Sequence, residues 1–174
     1  MKTVVIYKTK TGYTKQYAKW IAEDLSADIF ESKEVNSDML LKYDTIIYGA
    51  GIYAGGINGV KLIKENLDRL KDKKVVVFAN GAYPQLEEVF KEILEKNFTL
   101  EEREKIKFFH LRGGFDYSEL SLINKCLMSG LKFSIKRKKK ENLEDYEERI
   151  LSLMEKSENF VERKNIKEII DFAK

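Results

Sequence analysis

The stretch Lys2–Thr14, KTVVIYKTKTGYT, decides how the rest of the chain is read. Val4, Val5, Ile6 and Tyr7 form a continuous β-branched and aromatic run with no polar alternation, which suits a strand covered on both faces. The run gives way to Thr9, Lys10, Thr11, Gly12, Tyr13 and Thr14. From there Tyr13, Tyr17, Trp20, Ile21 and Leu25 recur at helical spacing. Strand, hydroxyl-rich loop and helix make the opening unit of an α/β domain.

The unit recurs downstream. A short strand is expected at Asp28–Val35. Asp44–Gly51 reads DTIIYGAG, an apolar run ending in glycine, and a helical pattern follows at Val60, Ile63, Leu67 and Leu70. Lys74–Gly81 reads KVVVFANG and precedes an amphipathic stretch with Leu86, Val89, Phe90, Ile93 and Leu94. Ile106–Gly114, IKFFHLRGG, leads to a further helix over Ser118–Phe133. Five β-runs alternating with helices of about 12 to 17 residues predict an α/β fold, a five-stranded parallel sheet with helices on both faces. Pro84 is the only proline and no low-complexity linker interrupts the chain, so a single domain is expected over residues 1–174.

Composition narrows the class. A chain of 174 residues, 43% apolar and 35% charged, is large enough for one core without disulfides or a structural metal. The single Cys126 rules out an intramolecular disulfide and a cysteine zinc cluster. It falls in an amphipathic helix pattern and reads as packing. The longest early apolar run, Val4–Tyr7, is too short for an export signal or a membrane span, so a cytoplasmic location is expected. The net charge of +3 is unevenly spread: Lys105–Lys140 holds ten Lys or Arg against Asp116 and Glu119, whereas Glu141–Lys174 holds ten acids against six bases.

In an open α/β sheet, ligands bind beyond the carboxyl ends of the strands, where strand order reverses. The loop Thr9–Thr14 offers three threonine hydroxyls, a glycine and the start of a helix, the parts of an anion cradle to which Lys10 adds charge. The same residues also make an ordinary capped helix. The loop lacks both G-x-G-x-x-G and G-x-x-x-x-G-K-[ST], which argues against a nicotinamide-type fingerprint and a Walker loop. Lys8, Thr9 and Gly49 stand where a phosphoacceptor receiver needs acids, and the first loop has no cysteine nucleophile.

Thr9, Thr11, Gly12 and Thr14 resemble, in register, the phosphate loop of the flavodoxins: Thr or Ser, any residue, Thr, Gly, any residue, Thr. Gly49–Gly56 (GAGIYAGG) and Asn80–Tyr83 (NGAY) fall where that family holds the isoalloxazine ring of FMN. The resemblance implies a three-layer flavodoxin-like sandwich with strand order 2-1-3-4-5. It also implies an FMN site formed by Thr9, Lys10, Thr11, Gly12, Tyr13 and Thr14, by Ala50, Gly51, Ile52, Tyr53, Ala54 and Gly55, and by Asn80, Gly81, Ala82 and Tyr83. Tyr53 and Tyr83 either stack on the ring or simply cap the sheet, while Gly51, Gly55 and Gly56 let the backbone come close to it. Typical flavodoxins are acidic. This chain has a pI near 8.7, and no acid stands in its first three loops.

Arg112, Gly113, Gly114, Phe115, Asp116 and Tyr117 form a fourth loop, followed by a helix with Leu120, Ile123, Leu127 and Leu131 on one stripe and by the basic run Lys136–Lys140. Gly113–Tyr117, Met128 and that run resemble the branch of the family containing menaquinone-dependent protoporphyrinogen dehydrogenase. This implies a porphyrinogen substrate, a redox partner or quinone, and a peripheral contact with the inner face of the membrane. On residue chemistry alone, the stripe either faces the sheet or lies on a lipid surface beside the lysines. No nucleic-acid module is recognisable. His110, the only histidine, reads as a hydrogen-bonded core residue. No side chain is assigned a catalytic role and no metal is expected.

Overall fold

Alternate residues of the first strand, β1 (Thr3–Lys8), enter two different cores. Val4 and Ile6 pack on one side of the sheet, Val5 and Tyr7 on the other. The structure is a computed structural model that describes residues 1–53, 55–82, 87–115, 117–119, 122–137, 151–152, 154–155 and 157–174. Its contacts divide the chain into two compact units, Met1–Gly113 with Phe160–Lys174, and Gly114–Asn159.

The first unit holds the main sheet. β1, β2 (Asp28–Glu31), β3 (Thr45–Tyr53), β5 (Lys74–Gly81) and β6 (Lys107–Arg112) run parallel in the order β2-β1-β3-β5-β6, which is the expected 2-1-3-4-5. A two-residue strand, β4 (Gly56–Ile57), turns back antiparallel on the end of β3. One face carries Ile46, Tyr48, Val75, Val77 and Phe108 against Leu40, Ile63, Leu70, Ile93 and Phe98. The other carries Ile47, Val76, Phe78, Phe109 and Leu111 against α1 (Tyr13–Leu25) and α7 (Lys167–Ala173). Gly49 allows this packing, since a Cβ there would lie 1.9 Å from the Phe78 ring.

Several elements differ from the sequence expectation, each for a local reason. β2 ends at Glu31, because a single 3-10 turn at Ser32–Glu34 takes over, with the Glu34 carboxylate accepting the Glu31 N–H at 2.8 Å. The helical pattern at Val60–Leu70 splits into α3 (Lys61–Lys64) and a 3-10 turn at Leu67–Leu70. Between them the Asn66 side chain donates to the Leu62 carbonyl at 2.8 Å, a local bond of the kind that competes with the backbone ladder. Ile63, Leu67 and Leu70 of the two pieces remain buried. α2 (Ser37–Leu40) is a single turn capped by Asn36, and α4 (Glu87–Asn97) is followed by α5 (Leu100–Glu104).

The last residues return to the sheet. Ile166, Ile169, Ile170 and Ala173 are spaced for one helix face and fill the second core. Asn165 donates to the Tyr17 hydroxyl at 2.8 Å, and that hydroxyl donates to the Arg112 carbonyl at 2.6 Å. Burial raises the Tyr17 pKa above its ordinary value. The Phe160 N–H meets the Gly113 carbonyl at 3.2 Å, which brings together the two chain ends that bound the intervening segment. No linker composition marks that segment, so it is not legible as a separate unit in the sequence.

In the second unit, β7 (Gly114–Phe115) pairs antiparallel with β8 (Glu158–Asn159). A 3-10 turn at Tyr117–Glu119 precedes α6 (Leu122–Lys136). The Tyr117 hydroxyl lies 3.0 Å from the Ser129 hydroxyl. Leu122, Leu131 and Phe133 are exposed. Cys126 is exposed as well, against the expectation that it packs: it lies on the solvent side of α6. Leu120 and the side chains of Ile123 and Leu127 lie outside the described residues, as do Lys138–Lys140 of the basic run. No helix among the described residues is long and apolar enough to cross a membrane.

His110 sits in β6 opposite Ala79 and is 7% exposed. Burial lowers its pKa from 6.5 to about 4, so the folded protein holds it neutral at pH 7. The unfolded chain binds the extra proton first as pH falls. Stability should therefore decline as pH drops from about 6.5 toward about 4, by at most about 3 kcal/mol from this group. Urea unfolding at pH 7 and pH 5 should show the decline, and it should be smaller in His110→Leu.

Candidate functional site

The carboxyl ends of β1, β3 and β5 bring three segments together. After β1, Gly12 adopts φ 84°, a left-handed conformation that Cβ-bearing residues rarely adopt, and N-caps α1. Among the described residues a Cβ on Gly12 would meet nothing within 4 Å. The Gly12 N–H donates to Thr9 Oγ1 at 3.0 Å, which leaves the Thr9 hydroxyl hydrogen for another acceptor. The ladder of α1 starts with Gln16 N–H to the Gly12 carbonyl at 3.1 Å, so the amides just before it lie outside the ladder at the positive end of the helix.

The three threonines do different things. Thr14 is buried, and its hydroxyl donates to Asn80 Oδ1 at 2.7 Å, with Asn80 itself 5% exposed. This bond ties the first loop to the end of β5. Thr11 is half-buried, and its hydroxyl makes no hydrogen bond among the described residues. Two hydroxyl donors, the first-turn amides and the Lys10 ammonium form a donor set that fits a phosphate monoester.

The second segment is not the loop that its glycines suggest. Ala50, Gly51, Ile52 and Tyr53 belong to β3, which continues beyond Gly49 and turns back through Gly55 into β4. Gly55 has φ 77°. The Asn58 N–H donates to the Gly51 carbonyl at 3.1 Å. Asn97, at the end of α4, holds the turn: its side chain accepts from the Ile57 N–H at 2.8 Å and donates to the Gly55 carbonyl at 2.8 Å and to the Ile93 carbonyl at 2.7 Å. Sequence reasoning missed Asn97. An asparagine at a helix end is unremarkable locally, and its partners lie some forty residues away.

Tyr53 folds back over the strand, so that a Cβ on Gly51 would lie 3.1 Å from its ring. Burial raises the phenol pKa above its ordinary value. The Lys10 ammonium stands 4.3 Å from the centre of this ring. The first and second segments therefore touch through a cation and an aromatic face.

Asn80 and Gly81 end β5, and Ala82 follows half-buried. Ala54 and Tyr83 lie outside the described residues. Gly113 approaches this edge closely: its N–H meets the Gly81 carbonyl at 2.6 Å, and a Cβ there would lie 2.8 Å from the Asn80 side-chain nitrogen. Arg112 stacks its guanidinium 3.5 Å from the centre of the Phe160 ring. The site thus has the Lys10 cation between its first two segments and no acid in its first three.

An open parallel sheet in the order β2-β1-β3-β5-β6 defines a doubly wound α/β protein, a class whose ligands bind at the strand ends. Residues 4–142 match the flavodoxin domain family, and the chain belongs to that family. It is similar to an uncharacterized protein of Methanocaldococcus jannaschii, 33% identical over 118 residues, which covers 66% of this chain and 73% of that protein. Among solved structures it is similar to oxidised flavodoxin 2 from Bacillus cereus, with 24% identity, a TM-score of 0.44, and coverage of 64% of this chain and 86% of that one. It is also similar to a flavoprotein in complex with FMN from Lactobacillus acidophilus, with 18% identity, a TM-score of 0.40, and coverage of 64% and 91%.

The Thr14–Asn80 bond gives this site a direct test. Thr14→Val keeps the shape but leaves buried Asn80 Oδ1 without that donor, at an expected cost of about 1–3 kcal/mol in urea unfolding. Thr14→Ser, which keeps the hydroxyl, should recover most of the loss.

Proposed function

We propose that this flavodoxin-domain protein binds FMN noncovalently and acts as an oxidoreductase or electron-transfer protein. The observation that carries the reading is the Thr9–Thr14 loop, where a left-handed glycine, two available threonine hydroxyls and a helix start come together. In this reading Thr9, Thr11 and the amides of the first turn of α1 hold the phosphate. The backbone of Gly51–Tyr53 and of Asn80–Ala82 lines the ring. Bound FMN would supply hydride or electron transfer. The protein orients the ring, keeps one side of it dry and sets the charge around it. Thr14 and Asn80, bonded to each other, keep the phosphate end and the ring end in register.

In its sharper form the proposal makes the electron donor a porphyrinogen and the acceptor a quinone, with the protein working in the cytoplasm and touching the inner face of the membrane. Its support is the sequence pattern Gly113–Tyr117, Met128 and Lys136–Lys140, together with the exposed Leu122, Leu131 and Phe133 of α6. Nucleic acid is not a partner in this reading.

Titration of flavin-free protein with FMN, followed by flavin fluorescence, tests the core of the proposal. Saturable quenching with a Kd of about 1 μM or below is expected. Gly12→Val places a β-branched residue at φ 84° and should weaken binding about tenfold or more. Thr11→Ala should weaken it several-fold. Absence of binding to the folded parent would refute the flavoprotein reading and favour a flavin-free module acting through its basic segment.

The charge around the ring makes a second prediction. With Lys10 nearby and no acid in the first three segments, the negative charge of fully reduced flavin is less opposed than in acidic flavodoxins. A redox titration should place the second one-electron couple well above that of a low-potential flavodoxin measured in parallel, and a very negative second couple would count against this charge argument.

A further inference from the structure

Lys10 belongs to the Thr9–Thr14 loop, and its ammonium stands 4.3 Å from the centre of the ring of Tyr53, the last residue of β3. Tyr53 also approaches Gly51 closely, where a Cβ would lie 3.1 Å from Cε2 and 3.2 Å from the hydroxyl oxygen. Gly51 is buried in β3, and its carbonyl is engaged by the Asn58 N–H. The ring therefore meets both the fixed backbone of β3 and a cation carried on a flexible four-carbon stem. An ammonium over a tyrosine face is attractive, enough to bias the rotamer of a half-buried side chain.

We infer that Lys10 is a positioning residue for Tyr53: its cation clamps the tyrosine over Gly51 and so pre-forms the ring side of the flavin site, independently of any charge it lends to the phosphate. The inference rests on the FMN reading for what Tyr53 receives, but the clamp itself exists in the flavin-free protein. It separates two roles that the loop sequence merges. A lysine acting only as phosphate counter-charge would affect FMN and leave a phosphate-free flavin untouched. A lysine acting through Tyr53 affects both, because pre-ordering a binding group lowers the entropy lost on association whatever the ligand carries at its far end.

The experiment has two parts. In flavin-free protein, the Lys10 ε-methylene protons in a proton–carbon correlation spectrum should lie upfield of those of the other lysines, because they sit in the ring current of Tyr53, and should move back in Tyr53→Leu. Parent, Lys10→Met, Tyr53→Leu and the double variant are then titrated with FMN and with riboflavin. Lys10→Met should weaken riboflavin by about two- to fivefold in the parent background and have no effect on riboflavin in the Tyr53→Leu background, whereas Tyr53→Phe should preserve the coupling. Unshifted Lys10 protons would overturn the clamp. So would a Lys10→Met loss confined to FMN, or one of equal size with and without Tyr53. A parent that shows the shifted protons yet binds neither flavin would overturn the FMN reading, and with it the role given to Tyr53.

Discussion

Burial of the central strands on both faces is the constraint on which the rest of the molecule depends. Val4–Tyr7, Ile46–Tyr48 and Val75–Phe78 have no face that tolerates water, so each side of the sheet needs its own layer. A parallel sheet cannot be closed by hairpins, and its connections must cross over a face. The crossing elements supply the cover, and the turns that lead into them gather at the carboxyl ends of the strands. The site is a consequence of that geometry: Thr9–Thr14, Gly51–Gly55 and Asn80–Ala82 are neighbours because β1, β3 and β5 are adjacent in the sheet.

What converts neighbouring turns into a site is a small set of polar bonds made across them. Thr14 to Asn80 joins the first segment to the third, Asn97 fixes the turn of the second, and Gly113 seats the end of β6 against Gly81. Each involves a buried group whose loss would leave a polar partner without compensation. The cation of Lys10 over Tyr53 adds a weaker link of the same kind at the surface. Charge follows a separate logic. The cations near the site come from its own segments, and the absence of acids there is a property of composition that the fold merely displays.

The residues after Gly113 show how differently two stretches of one tail can behave. Phe160–Lys174 carries its apolar residues at one helical spacing and completes the second core through Ile166, Ile169, Ile170 and Ala173. Gly114–Asn159 forms a compact unit of its own, with Leu122, Leu131 and Phe133 exposed on α6. Both stretches are rich in charge, so composition does not distinguish them.

The sequence by itself determined the fold class and the position of the Thr9–Thr14 loop at a strand end, while the order of the strands came from resemblance. The first two depend on short-range signals: β-branched runs, helical spacing, and a glycine among threonines at a strand end. It also placed Asn80 and Tyr53 among the site residues through resemblance. Only the tertiary structure decided that Gly51–Tyr53 is strand rather than loop, that Thr14 spends its hydroxyl hydrogen on Asn80, that Asn97 holds the turn, that Cys126 faces solvent, and that Lys10 reaches Tyr53. The physical reason is the range of the interactions. A hydrogen bond such as Thr14 to Asn80 spans 66 residues of chain, and nothing in the local pattern at either end distinguishes a partnered group from a solvated one until the sheet brings the two together.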